Sequence, residues 1–325
     1  MVKDAVFELY IRSLAPLPPR LRVAIEFLRV HGRLPDLENP RTFNEKILWR
    51  MLNDRDERLP DLVDKIRSKE ILAQRYGADL VIPTLATFDR PEDMDFEREP
   101  LSRPPYVVKA NHGWAMNLFV LDEGALRTDP GAERIRRKTR KWLATDHSKR
   151  LAEWAYSQVR RRILVEPYMG PMDDFKLHVF HGRTFACEVI SNRFSEGRQE
   201  GLYDRSWAQM DVAYSTAGYR RRDGSLPSEE ARARMIELAE DIGREFSYVR
   251  VDFYLPRGEL KFGELTFYPG GGQERFYPAS WDRVFGDQWR LDCDDGRTRS
   301  SQSTKGRPSL AQGECSERPE SADPS

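Results

Sequence analysis

Arg250-Val251-Asp252-Phe253-Tyr254, then Phe262-Gly263-Glu264-Leu265-Thr266-Phe267 and the run Gly270-Gly271-Gly272, form the stretch on which the reading of the whole chain turns. Residues 248–255 and 260–267 are rich in aromatic and β-branched side chains, and Gly258 lies between them, so the pair predicts a β-hairpin. Side chains alternate faces along a strand, so Arg250 and Asp252 project from one face, with Asp252 and Glu264 near facing positions. Two carboxylates converging from paired strands offer the oxygen ligands that a hard cation such as magnesium takes. An arginine beside them adds a fixed positive charge shaped for a phosphoryl or carboxylate group. By spacing alone, the same pattern also fits a solvated hairpin face.

Outward from this hairpin, strands and helices alternate. Residues 229–246 read as a strongly periodic helix leading into it. Upstream, residues 175–180 and 184–190 flank His181-Gly182, a second hairpin that carries Lys176. Tyr106-Val107-Val108-Lys109 is an apolar strand ending in lysine, followed by Asn111-His112-Gly113, and residues 162–166 form a strand ending in Glu166. A lysine at a strand end can reach phosphates while the backbone N–H groups of a glycine turn bind them. Taken one at a time, Lys109, Glu166 and Lys176 read as structural residues before functional ones. The pattern is α+β with antiparallel hairpins, not a doubly wound parallel sheet.

The first hundred residues read as mainly helical. Apolar residues recur at helical spacing over 21–28, and Pro40-Arg41-Thr42-Phe43-Asn44-Glu45-Lys46 marks a turn into a helix, with Thr42 and Glu45 spaced as a capping box. A helix is predicted over 62–76, ending at Gly77 in a left-handed C-cap, followed by a short strand over 80–83. The proline- and acid-rich segment 90–105 reads as a domain boundary. The expected division is therefore a helical region over 1–100, an α+β domain over 101–292 and a tail over 293–325, too poor in apolar residues to order.

Composition narrows the classes. The 325 residues carry 53 basic and 53 acidic side chains, and this zero balance gives no reason to expect nucleic acid as the partner. Arg160-Arg161-Arg162 and Arg220-Arg221-Arg222 read as strand flanks or solvated faces. The three cysteines are too few and scattered for a disulfide framework or a zinc site, which fits a reducing, cytoplasmic setting. No apolar run reaches signal-peptide or membrane-span length. Residues 20–30 could form an amphipathic helix in peripheral contact with a membrane, although packing on their own domain explains the same pattern. Tyr203, Trp207, Tyr277 and Trp281 fit either sugar stacking or core packing.

The order of the motifs adds what no single motif supplies. A lysine after a strand, a glutamate after a strand, a lysine in a hairpin, then Arg-x-Asp and Glu-x-Thr before a glycine run resembles the nucleotide site of ATP-grasp enzymes, with an end similar to that of a D-alanine–D-alanine ligase. Over residues 39–291 the chain resembles the TupA-like branch, through Pro40 to Lys46 with Ile47, Asp64-Lys65, Leu80-Val81-Ile82-Pro83, Val107 to Gly113, Asp174-Phe175-Lys176 and the two C-terminal motifs. The resemblance implies an ATP-grasp fold, two α+β subdomains clasping ATP, preceded by the helical region. It implies that Lys109 and Lys176 bind ATP phosphates under a loop of Asn111, His112 and Gly113, and that Glu166, Pro167, Tyr168 and Met169 form the adenine hinge. Asp252 and Glu264, with Thr266, would hold magnesium, and Arg250 and Lys109 would be the catalytic charges. The activity implied is ATP-dependent joining of a small-molecule or glycan carboxylate to an amine through an acyl phosphate, in cell-surface polymer synthesis. Two positions depart from the family pattern: Thr266 stands where asparagine is usual, and Trp114-Ala115 where a second glycine is usual. Two other classes remain open at this point, a phosphotransferase on the same site and a glycosyltransferase using Asp93-Met94-Asp95.

Overall fold

The computed structural model of the chain describes residues 10, 13–127, 131–193, 197–214 and 221–291. The tail expected over 293–325 lies outside the described residues. Helices α1 (Pro19–His31), α2 (Phe43–Asn53), α3 (Leu59–Val63) and α4 (Lys65–Tyr76) come first, as expected of a mainly helical start. The capping box is formed: Thr42 accepts a hydrogen bond from the Glu45 N–H at 3.3 Å, and the Glu45 carboxylate accepts from the Thr42 N–H at 3.1 Å.

Three local expectations change. The single helix over 62–76 is two helices, because Asp64 leaves the helical path (φ −71°, ψ 115°) and its carboxylate accepts from the Ile66 N–H at 2.8 Å, capping α4. Gly77 does end α4 with a positive φ, but at φ 106° and ψ 143°, an extended conformation open to glycine and not the left-handed helical one. Residues 78–80 are a 3₁₀ turn instead of a strand, and Val81 makes one isolated parallel bridge to Phe262.

Two antiparallel sheets follow. The smaller has the order β1 (Ala86–Phe88), β4 (Ile163–Pro167), β2 (Tyr106–Ala110), β3 (Asn117–Val120). Helix α5 (Gly124–Arg127) follows β3, and helix α6 (Gly131–Ala144) packs against β2. The segment after β1 supplies Met94, Phe96 and Leu101 to the smaller core, so that sheet draws on chain from before residue 100. Helices α7 (His147–Leu151) and α8 (Trp154–Gln158) lead into β4. Residues 168–173 then carry the chain to the larger sheet, whose order is β10 (Lys261–Thr266), β9 (Tyr248–Tyr254), β5 (Asp174–Phe180), β6 (Arg183–Ser191), β7 (Gln199–Asp204). A further pair joins β8 (Ala213–Tyr214) to β11 (Phe276–Tyr277). The hairpin turn between β5 and β6 has positive φ at both His181 (48°) and Gly182 (78°), the twist that a two-residue turn between right-twisted strands requires.

The two faces of the larger sheet differ in kind. Helix α9 (Glu229–Gly243) packs against β5, β6 and β9 and buries Met235, Leu238, Ala239 and Ile242. Phe175, Leu177, Val179 and Val251 belong to the same core, to which α2 adds Phe43, Ile47 and Leu48. The Phe43 ring meets those of His178, Tyr248, Phe276 and Phe285 edge-on, and full burial of such a side chain stabilises by roughly 1.5–3 kcal/mol. Pro40 to Lys46 proves to be a docking element: Asn44 donates to the Glu274 carbonyl at 2.9 Å, and Lys46 donates to the Gly286 carbonyl at 2.7 Å in helix α10 (Trp281–Asp287). A side chain at Gly272 would come within 2.9 Å of the Asn44 carbonyl, so the glycine run lies directly on α2.

Candidate nucleotide site

The face of the larger sheet opposite α9 carries the charged residues, and strand register sets their order. Glu264 of β10 faces Asp252 of β9, Asp252 faces Lys176 of β5, and Lys176 faces Glu188 of β6. One row beyond, Thr266 faces Arg250 and Arg250 faces His178. The facing of Asp252 and Glu264 expected from the sequence is therefore an adjacency in register, with a bulge at Gly263 between Phe262 and Glu264. A side chain at that glycine would fall 2.7 Å from the Tyr254 ring.

Arg250 grips Asp252 with both arms, Nε to Oδ1 and Nη2 to Oδ2, each at 2.7 Å. Its Nη2 also donates to Thr266 Oγ1 at 3.1 Å and lies 3.6 Å from Glu264 Oε1. Burial works against the guanidinium charge, but Asp252, Glu188 and Glu264 outweigh it and hold the arginine pKa above its ordinary value. Glu264 is more loosely held, with Lys65 Nζ at 3.5 Å from Oε2 and its side chain 33% exposed. Burial raises its pKa, yet Lys65, Arg250 and Lys176 prevail and bring it down to about 2, so the carboxylate is charged at any working pH. Thr266, at the departure from asparagine, stands 3.5 Å from Glu264 Oε1 and adds a hydroxyl oxygen to the set.

The smaller sheet brings Lys109 and Glu166 together. Lys109 Nζ lies 2.5 Å from Glu166 Oε2, and Lys69 of α4 holds the other carboxylate oxygen. Burial pushes the Glu166 carboxyl up, and Lys109 and Lys69 more than reverse it, keeping the group ionised below the usual carboxylate range. Burial also lowers the Lys69 pKa, against the pull of Glu166. Asn111 is fully committed to the turn: its amide donates to the Arg160 carbonyl at 2.9 Å, and its oxygen accepts from the Arg162 N–H at 2.8 Å. His112 points inward, with Nε2 3.1 Å from the Trp142 carbonyl, and burial first, then Arg161 and Lys65, lower its pKa to about 4. It is a neutral anchor, so contacts from this turn to an anion fall to its backbone and to Gly113. Ala115 takes a left-handed φ of 57°, a conformation that a glycine would adopt without strain, and Trp114 stands 41% exposed. In the hinge, Tyr168 and Met169 are half-buried, the Tyr168 N–H donates to the Pro105 carbonyl at 3.3 Å, and its ring packs edge-on to Phe119.

Sequence reasoning placed Asp64-Lys65 in the N-terminal region but left it out of the site. Asp64 caps α4 and so aims Lys65, whose Nζ donates to the Gly113 carbonyl at 2.6 Å while facing Glu264. Lys69, one helical turn on, and Glu188 were also missed. The i, i+4 spacing of Lys65 and Lys69 was a usable signal for the first, whereas Glu188 lacked any because its neighbours are set by register alone. Most of the other candidates take structural places. Tyr203 and Trp207 are buried in the core and Trp281 packs against it, while Tyr277 is exposed. Arg222 is buried and bonds to Asp173 and the Gly224 carbonyl, Arg160 pairs with Asp89 at 3.0 Å, and Arg220 lies outside the described residues. Asp93 and Asp95 flank the buried Met94 and pair with Arg90 at 2.7 Å and Arg98 at 3.2 Å. Among the described residues, no helix is long and apolar enough to cross a membrane.

Glu188 makes stability sensitive to pH. Burial raises its pKa to about 7, with Glu200 and Glu274 adding to the rise and Lys176 and Arg250 opposing it. The folded protein thus keeps a proton that the unfolded chain gives up near pH 4.5, so this contribution is fully present below that pH, falls as pH rises to about 7, and then levels off. At roughly 1.4 kcal/mol per pKa unit, Glu188→Gln is expected to flatten the stability curve between pH 5 and 8 by about 2–3 kcal/mol. Urea unfolding at the two pH values checks this, and parallel curves for wild type and variant would refute it.

Two antiparallel α+β units, one presenting a lysine and a glycine turn, the other a lysine, an arginine and paired carboxylates, define an ATP-grasp protein. The chain belongs to the TupA-like ATP-grasp family, whose sequence profile matches residues 45–290. No curated protein sequence matches the chain. Similar solved structures include a D-alanine–D-alanine ligase from Bacillus anthracis complexed with ATP (20% identity, TM-score 0.37, 65% of this chain and 55% of that one). They also include an L-amino acid ligase from Bacillus licheniformis (15%, 0.39, 83% and 56%) and the ATP-grasp ligase PsnB complexed with minimal precursor (14%, 0.37, 65% and 53%). The chain spans just over half the length of each of these structures.

Proposed function

We propose that this protein is an ATP-dependent carboxylate–amine ligase that works in the cytoplasm on a unit of a cell-surface polymer. The observation that carries the reading is the register row Glu264, Asp252, Lys176, with Arg250 beside it. Magnesium bound at ATP phosphates needs only one or two protein carboxylates, because phosphate oxygens and water complete its shell. Asp252 and Glu264 with the Thr266 hydroxyl fit that need, and the loosely paired Glu264 can turn to a ligand without breaking a short hydrogen bond. Bound magnesium would offset phosphate charge.

The remaining work falls to the chain's own groups. Lys109 and Lys176 hold phosphate oxygens, the turn at Gly113 covers them, and residues 166–169 receive the adenine. Arg250 lies where negative charge collects as a substrate carboxylate takes the γ-phosphoryl group and an amine then displaces phosphate. Placement and charge neutralisation supply the acceleration, and no protein nucleophile is required. The link to cell-surface polymer synthesis and the cytoplasmic setting rest on the family resemblance and the cysteine usage.

Calorimetry with magnesium and a non-hydrolysable ATP analogue tests the site. Lys109→Ala combined with Glu264→Gln is expected to weaken binding at least a hundredfold, whereas equal affinity in wild type and variant would sink the assignment.

A further inference from the structure

The charged row does not end at the phosphate-binding lysine. Lys176 and Glu188 face each other across β5 and β6, and only 7% and 6% of their respective surfaces are exposed. They do not pair: among the described residues, neither forms a side-chain hydrogen bond or an ion pair within 4 Å. Glu274 follows the glycine run, and its Oε2 is buried without a partner. Its backbone carbonyl is pinned by Asn44, which fixes where the residue sits. Glu274 disfavours ionisation of Glu188, Glu200 disfavours that of Glu274, and Glu200 itself is paired with Arg198. His178, fully buried on the same face, leaves Nε2 unpartnered.

A buried carboxylate with no partner costs several kcal/mol unless it takes up a proton or meets a counter-charge, and Glu188 keeps its proton up to about pH 7. Here a buried lysine stands unpaired beside it. A lysine and a carboxylate that decline to pair suit two bound groups of opposite charge, a phosphoryl anion over the lysine and a cation over the glutamates. The phosphate end of the row is Glu264 and Asp252. Glu188 lies two strands beyond Asp252, about 10 Å away at the usual strand spacing.

We infer that Glu188 and Glu274 receive the ammonium group of the amine substrate, so that the acceptor is a primary amine carried to the site as a cation. The inference rests on the ligase reading for its place in the reaction. A cation held there lies next to Lys176 and the phosphoryl group that the lysine would hold on the activated carboxylate. The ammonium passes a proton to a glutamate carboxylate, its nitrogen bonds to the acyl carbon, and phosphate leaves with the bonding pair. Neutral amides lack the charge that the glutamates select.

Ethanolamine, which has an ammonium group and no carboxylate, is the probe, with uncharged N-acetylethanolamine as its control. Binding is followed by NMR of protein labelled with carbon-13 at glutamate carboxyls, with and without magnesium and the non-hydrolysable ATP analogue. Saturable shifts of the Glu188 and Glu274 resonances with ethanolamine alone are expected. Glu188→Gln with Glu274→Gln should weaken ethanolamine at least tenfold while leaving nucleotide affinity within twofold. At pH 8, where Glu188 is ionised without a partner, the variant should also melt no lower than wild type, whereas a purely structural role predicts a lower melting temperature. Equal ethanolamine affinity in the variant, equal binding of the N-acetyl form, or a clear loss of thermal stability would overturn the inference. If wild type takes ethanolamine but not the nucleotide, the ammonium site stands and the ligase reading falls.

Discussion

Arg250→Lys is expected to lower kcat by about two to three orders of magnitude, the scale seen when one group that stabilises transition-state charge is removed. Arg250 reaches Asp252 with two arms and Thr266 with one, so its guanidinium is aimed before any ligand arrives. Lysine keeps the positive charge but cannot hold a carboxylate with one edge and offer donors to a phosphoryl oxygen with another. Charge at the reacting centre grows only after binding, so the substitution acts on the barrier more than on nucleotide affinity. With a carboxylate and amine pair that supports ADP release, kcat and the affinity for the ATP analogue are measured side by side. Unchanged kcat would show that Arg250 only shields Asp252.

The second large effect is on stability. Glu166 is the shared counter-charge of two lysines, and one of them, Lys69, is buried. Glu166→Gln leaves Lys69 without a counter-charge in a low-dielectric setting, a loss of about 3–5 kcal/mol for a broken buried pair. Adding Lys69→Met should recover most of it, because the cost comes from the uncompensated charge and not from lost packing. Urea unfolding of the single and double variants checks this. A single variant as stable as wild type, or a double variant no better than the single one, would refute the account.

What could be read in the sequence was whatever alternation and order encode. Alternation along 248–255 and 260–267 put Arg250 and Asp252 on one face, and the strand register bears this out. The order of Lys109, Glu166, Lys176, Asp252 and Glu264 gave the family and hence the fold. What could not be read depends on contacts across the chain. Nothing near Glu166 in sequence shows that Lys69 pairs with it, 97 residues away. The break at Asp64 was hidden because its apolar neighbours keep helical spacing on both sides. His112 reads as a phosphate contact until the Trp142 carbonyl is seen to hold its ring.

Helix α4 begins with a lysine that touches both halves of the clasp, the Gly113 carbonyl in the smaller sheet's turn and Glu264 in the larger sheet. One turn later, Lys69 neutralises Glu166. The N-terminal helices therefore cannot be treated as a detachable module that a minimal nucleotide-binding core could shed. Cutting the chain at residue 100 would take one counter-ion from a carboxylate in each sheet, Lys65 from Glu264 and Lys69 from Glu166, and remove β1 from the smaller sheet. Inheritance should follow the same seam: recombination that exchanged this region between distant relatives would have to carry the facing carboxylates with it.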